Sequence, residues 1–136
     1  MKKFGVWQKI HFFIQRKRLK LRFPLYCKIH GVSAPEYQGA ICQSREGDEL
    51  QIVHTPTEKY PYNAYVYSVT LNRLMGYLDG RLAEKLARLF GNGFCIDGEI
   101  CNITGGEYGE YYGCNIRIFH TTRMMSNVDD FSHLYT

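Results

Sequence analysis

The 136-residue sequence predicts a mainly β, α+β fold: a small, partly closed antiparallel β-barrel with one well-defined helix and a basic, helical N-terminal arm. Three observations predict it. Short apolar runs recur between Gly- and Pro-marked breaks, a pattern of strands rather than of long helices. Only residues 80–91 combine helical periodicity with signals at both ends. Charge is divided: residues 1–30 hold nine Lys/Arg and no Asp or Glu, whereas the remainder holds eight Lys/Arg against thirteen Asp/Glu. A chain of short strands manages its edges best by closing into a barrel. The length fits one domain of ~100–150 residues, divided into an arm (1–24), a barrel (25–120) and a tail (121–136).

The arm comes first. Val6, Trp7, Ile10, Phe13 and Ile14 recur at helical spacing, and Trp7, Ile10 and Ile14 share a face suited to packing on the barrel. Residues 16–22 alternate like extended chain, and Pro24 bounds them. Residues 25–32 read as a strand ending near Gly31. Residues 34–47, with Pro35, Gly39 and Gly47, read as irregular, with a short strand around residues 40–42. Gly47-Asp48-Glu49 turns into a strand bearing Leu50, Ile52 and Val53, which Pro56 closes. A loop over residues 57–62 leads to Asn63-Ala64 and a second strand through Ser68, and a third strand covers residues 74–78.

The helix at 80–91 follows. Leu82, Leu86, Leu89 and Phe90 line one face beside Ala83 and Ala87, Asp79 is placed to cap its start, and Gly91 suits its end. Lys85 and Arg88 near the C-terminal end complement the macrodipole. A strand over 94–103 leads to the turn Thr104-Gly105-Gly106. In a last strand over 112–120, Cys114, Ile116 and Ile118 alternate with Asn115, Arg117 and Phe119. Residues 121–136 show no period and read as a frayed tail.

Several chemistries find no support. The five cysteines form no C-x-x-C pair and the five histidines no ligand spacing, so neither a metal nor another cofactor is expected. The cysteines read instead as small buried hydrophobes in a reducing compartment, which points to the cytoplasm, or the nucleus in a eukaryote. No run approaches the ~18–20 apolar residues of a membrane span, so no integral membrane association is expected. Lys2-Lys3 opens like a signal peptide, but Gln8, Lys9, His11 and Gln15 interrupt the apolar stretch. No Cys–His or Ser–His–Asp order stands out, and a non-catalytic protein is expected.

The 57–62 loop concentrates aromatics where a buried core has little use for them. Tyr60 and Tyr62 suit base stacking, which tolerates any sequence, or a lid over the barrel mouth. Asn63 suits satisfying backbone groups at a strand entry. Arg16, Lys17, Arg18, Lys20 and Arg22 make the densest basic cluster. The arm admits three readings: phosphate binding, an anionic membrane surface taking Trp7, Phe12 and Phe13, or a solvated helix packed on the barrel.

The order of parts from Gly47-Asp48 through Pro56, Asn63-Ala64, Gly76-Tyr77-Leu78 and the Leu/Ala-rich helix resembles the HIRAN domain. This is a small β-barrel module found alone in bacteria and fused to SNF2-type DNA translocases in eukaryotes. The similarity runs from about Lys28-Ile29-His30-Gly31-Val32 to Asn115-Ile116-Arg117-Ile118, and only the order and spacing together carry it. The resemblance implies a grip on the 3′ end of single-stranded DNA. It places Tyr60 at the family's base-stacking aromatic, three positions before Asn-Ala, and Tyr37 near a second one. Tyr77 is the aromatic of the Gly-aromatic-Leu strand. Where the family commonly has an Asp for the 3′-hydroxyl, this chain has Pro61. Pro35 and Glu36 replace a basic residue and an aromatic, and Asp79 and Gly80 replace basic residues, leaving Arg81.

The expected function is a non-catalytic DNA-binding module that engages single-stranded DNA or DNA ends by tyrosine stacking plus a basic arm. The alternative is a protein-interaction adaptor that has lost the family's DNA-end pocket.

Overall fold

Alternating side chains build the sheet. The structure, a computed structural model, describes residues 2–3, 5–18, 21–91 and 94–124. Along the chain come β1 (Lys2–Lys3), α1 (Val6–Arg18), β2 (Leu25–Lys28), α2 (Pro35–Cys42) and β3 (Glu49–His54). Then follow β4 (Ala64–Ser68), β5 (Arg73–Tyr77), α3 (Gly80–Gly91), β6 (Phe94–Gly105), a 3-10 turn (Glu107–Gly109) and β7 (Tyr112–Met124). In β4, Ala64, Val66 and Ser68 are buried while Tyr65 and Tyr67 face outward, the period-two signature of a strand with one face in a core.

The strands pair antiparallel in the order β1-β7-β6-β3-β4-β5, and β2 pairs with β7 beside β1, on the edge opposite β6. Beyond β2 the chain crosses to the far edge of the sheet. Ile29 N–H still donates to Cys114 O (3.0 Å), whereas His30 exchanges backbone hydrogen bonds with Tyr77 of β5 (2.8 and 3.0 Å). That single bridge makes the structure a partly closed barrel. Gly76 permits it: its φ is 143°, and a Cβ there would lie 2.5 Å from both His30 O and Ile29 Cγ2. Only glycine takes this conformation and this proximity without strain.

Leu50, Ile52, Val66, Met75, Ile96, Ile100, Ile116 and Ile118 form one buried cluster, joined by Leu86 and Leu89 of α3 and by Ala40 and Ile41 of α2. Each large side chain contributes roughly 1.5–3 kcal/mol by its burial. Asp79 starts α3 as expected, its carboxylate accepting from the N–H groups of Arg81 (3.2 Å) and Leu82 (3.4 Å). No helix among the described residues is long and apolar enough to cross a membrane.

Four expectations are corrected. The segment read as irregular with a strand at 40–42 is the helix α2. Pro35 occupies its first turn, where a missing N–H costs nothing, and Ala34 before it is extended. Gly39, a poor helix former, sits where an added Cβ would be 3.2 Å from the Arg73 guanidinium, which donates to Glu36 O. The basic run read as extended from residue 16 is helical through Arg18, in keeping with the helix propensity of Arg and Lys. The last strand does not end at 120. Its extension pairs Met124 with Phe94 and Lys2, and Arg123 with Lys3, so backbone partners on both sides order it. Finally, Trp7, Ile10 and Ile14 are not buried against the barrel: all three are exposed, Trp7 at 78% and Ile10 and Ile14 at 45% and 47%, although α1 runs against α3. Gly91, expected at a left-handed helix end, is the last residue of α3; residues 92–93 and the tail from 125 onward lie outside the described residues.

Candidate nucleic-acid interface

The loop between β3 and β4 closes on itself. Tyr60 N–H donates to the Thr57 hydroxyl (2.9 Å), and Thr57 N–H donates to Tyr60 O (3.0 Å). Asn63 N–H donates to Tyr60 O (3.2 Å), while its side-chain amide donates to the Thr55 hydroxyl (3.3 Å). Thr55 is itself buried and returns its N–H to Asn63 O (2.9 Å). Asn63 thus holds the loop, as Asn does at strand entries. With the backbone groups engaged inward, Tyr60 and Tyr62 stand outward, 57% and 47% exposed. The Lys59 ammonium lies 5.4 Å from the Tyr60 ring centroid, within cation–π range.

The loop also has a floor. His54, the last residue of β3, stacks on Phe90 of α3 with ring centroids 5.2 Å apart and planes 9° from parallel. Burial pushes its pKa down, partly offset by a hydrogen bond to the Pro61 backbone. Its Nε2 is buried without a hydrogen-bond partner among the described residues. A neutral ring fits that setting, since protonation would place a second, unsatisfied N–H in an apolar contact.

Between this loop and the start of α3 lies a cleft of about 160 Å³. Lys59, Tyr60, Pro61, Tyr62 and Asn63 form one wall, and Leu78, Gly80 and Ala83 the other. It falls below the ~300–1,000 Å³ of small-molecule sites, so it suits one flat group rather than a whole metabolite. A bare helix N-terminus attracts anions, but here the Asp79 carboxylate already occupies the first-turn donors. The cleft floor therefore favours an aromatic ring over a phosphate.

The structure brings Tyr60, Tyr62 and Asn63 together and places the other expected contact residues elsewhere. Tyr77 lies opposite Tyr65 across β4 and β5, one residue before the Leu78 that lines the cleft, and its ring covers Gly31. Tyr37 joins this pair. Burial first, then the neighbouring Tyr65 and Glu36 and a hydrogen bond with Tyr65, push its pKa to about 12. Lys17, Arg18 and Arg22 of the arm are exposed. The Arg16 side chain and Lys20 lie outside the described residues. Helix α1 runs against α3, the helix whose first turn lines the cleft.

Sequence reading missed the His54–Phe90 stack and the role of Lys59. A lysine beside a tyrosine was a visible signal for the second, whereas the first joins residues far apart in the chain. Among the described residues no group of three His, Cys, Asp or Glu is placed to hold a metal ion. Burial, with smaller effects of nearby Asp79 and Cys101, pushes the Cys27 thiol to about 11, and burial raises Cys114 to about 12. Both are protonated at neutral pH, which makes them poor nucleophiles.

No protein-family model matches the chain, and no curated protein or solved structure matches it.

Proposed function

We propose that this protein is a non-catalytic, HIRAN-type module that binds single-stranded DNA or DNA ends. The 57–62 loop stacks on unpaired bases, and the basic arm contacts phosphates. The observation that carries the reading is a pair of outward tyrosines on a loop already held by its own hydrogen bonds and by the His54 floor. Stacking is worth roughly 1–3 kcal/mol per base, and a platform ordered before binding loses little entropy on contact. Charge must come mostly from outside the cleft. Asp79 opposes a phosphate at the helix start and Lys59 is the local cation, so Lys17, Arg18 and Arg22 would supply the rest. Selection of a 3′-hydroxyl is not part of the proposal, because Pro61 has no side-chain acceptor.

Anisotropy of a labelled single strand, titrated with the full chain and with Tyr60→Ala, tests this. The variant should bind about 1–3 kcal/mol more weakly with an unchanged melting temperature and salt slope. A lowered melting temperature at unchanged affinity would make Tyr60 a structural lid. No binding to any oligonucleotide would sink the reading and leave the adaptor role.

A further inference from the structure

Helix α1 is amphipathic, and the described residues of its apolar side are exposed. At 3.6 residues per turn, Phe13, Val6, Ile10, Ile14 and Trp7 share an arc of roughly 120°. Every one of them is exposed, Val6 at 73% and Trp7 at 78%. Exposed apolar clusters of this kind mark interaction surfaces. Cations frame this one. Lys9 and Arg18 fall at its two borders, and Lys17 lies within it, its ammonium 4.8 Å from the Phe13 ring centroid. Among residues 1–30 no acidic side chain offsets them.

Two features identify the occupant. The absence of any Asp or Glu calls for an anionic partner, and the apolar arc calls for one that also excludes water. A nucleic-acid backbone meets the first demand and offers little for the second. The interface of an anionic bilayer meets both: it takes Trp and Phe at headgroup depth while Lys and Arg reach back to the phosphates. We infer that α1 is a peripheral anchor that lies in the interface of anionic phospholipid membranes with Trp7, Ile10 and Phe13 inserted. This inference stands independently of the cleft and of what the cleft binds.

Trp7 is the chain's one tryptophan, so its emission reports insertion directly. The full chain is mixed with vesicles of phosphatidylcholine alone, or of equal parts phosphatidylcholine and phosphatidylglycerol, and both emission and co-sedimentation are followed. The anchor predicts a blue shift and sedimentation with the anionic vesicles. Partition should be on the order of tenfold or more above that for neutral vesicles, and salt should reverse it. Ile10→Ser with Phe13→Ser should weaken partition by about tenfold or more while leaving the melting temperature of the barrel unchanged. Should that variant fail to fold, Lys9→Gln with Lys17→Gln should lose the preference for anionic vesicles. The inference is overturned by a folded protein that ignores anionic vesicles, or by partition indifferent to Ile10 and Phe13. A blue shift on raising protein concentration alone would overturn it in favour of a second copy. A shift with a single-stranded oligonucleotide where anionic vesicles give none would do so in favour of nucleic acid.

Discussion

The 57–62 loop and helix α1 both hold aromatic rings in water, and each sets a lysine over one of them: Lys59 over Tyr60 and Lys17 over Phe13. They differ in what lies beneath. The loop is tied by Thr57, Asn63 and Thr55 and sits on the His54–Phe90 stack, so the backbone that carries its tyrosines is held in place. The α1 rings are carried on a helix whose described apolar residues are all exposed, Trp7 at 78%. A braced platform suits a flat partner taken one ring at a time, whereas an exposed arc suits a surface that can bury all of it at once. Exposure alone would not separate the two; the support does.

The strongest way to break the comparison is to remove the platform's foundation. Gly76→Ala places a Cβ against His30 O and Ile29 Cγ2 at a φ that alanine avoids. It should cost about 2–4 kcal/mol of stability, measured by denaturant unfolding. Binding that depends on the braced loop should fall with the fold, while partition of α1 to anionic vesicles should persist, because a helix can form on the bilayer itself. Loss of both together would show that the arm depends on the barrel.

A smaller effect separates the charges. Lys17→Gln, Arg18→Gln and Arg22→Gln combined should lower the salt slope of single-strand binding by about 2, from three contacts at ~0.7 each, with little change in melting temperature. An unchanged slope would remove the arm from the nucleic-acid interface.

The mildest perturbation is acid. His54 titrates below its ordinary value of 6.5 in the folded chain because burial penalises its charge. The unfolded chain therefore takes up the proton first. The stability linked to this ring is complete above about 6.5 and falls as pH drops from there toward the folded value. Melting temperature should decline over that window, and His54→Phe, which retains a ring against Phe90, should flatten the decline. An identical profile in the variant would rule His54 out as the responsible group.

Much of the barrel was legible in the sequence because its cause is local. Inward Ala64, Val66 and Ser68 alternate with outward Tyr65 and Tyr67, and Asp79 announces a helix whose leucines recur at its period. Helix α2 was not, because an eight-residue helix burying only Ala40 and Ile41 leaves too short a stripe to show a period. The end of β7 was not either: residues 121–124 are ordered by backbone pairing with β1 and β6, which leaves little trace in side-chain pattern. At the candidate site the tyrosines were visible and their bracing was not, since His54 meets Phe90 only when β3 and α3 come together. In the arm the periodicity correctly marked a helix, but a period says that a face is apolar without saying what covers it.

The central claim is that the 57–62 loop binds bases by stacking rather than phosphates by charge. An abasic oligonucleotide keeps the backbone and removes the rings, so its affinity against that of a normal single strand of equal length, at one salt concentration, tests the claim most directly. The account predicts that the abasic strand binds more weakly by roughly 1–3 kcal/mol for each base engaged. Equal affinity for the two strands would contradict it.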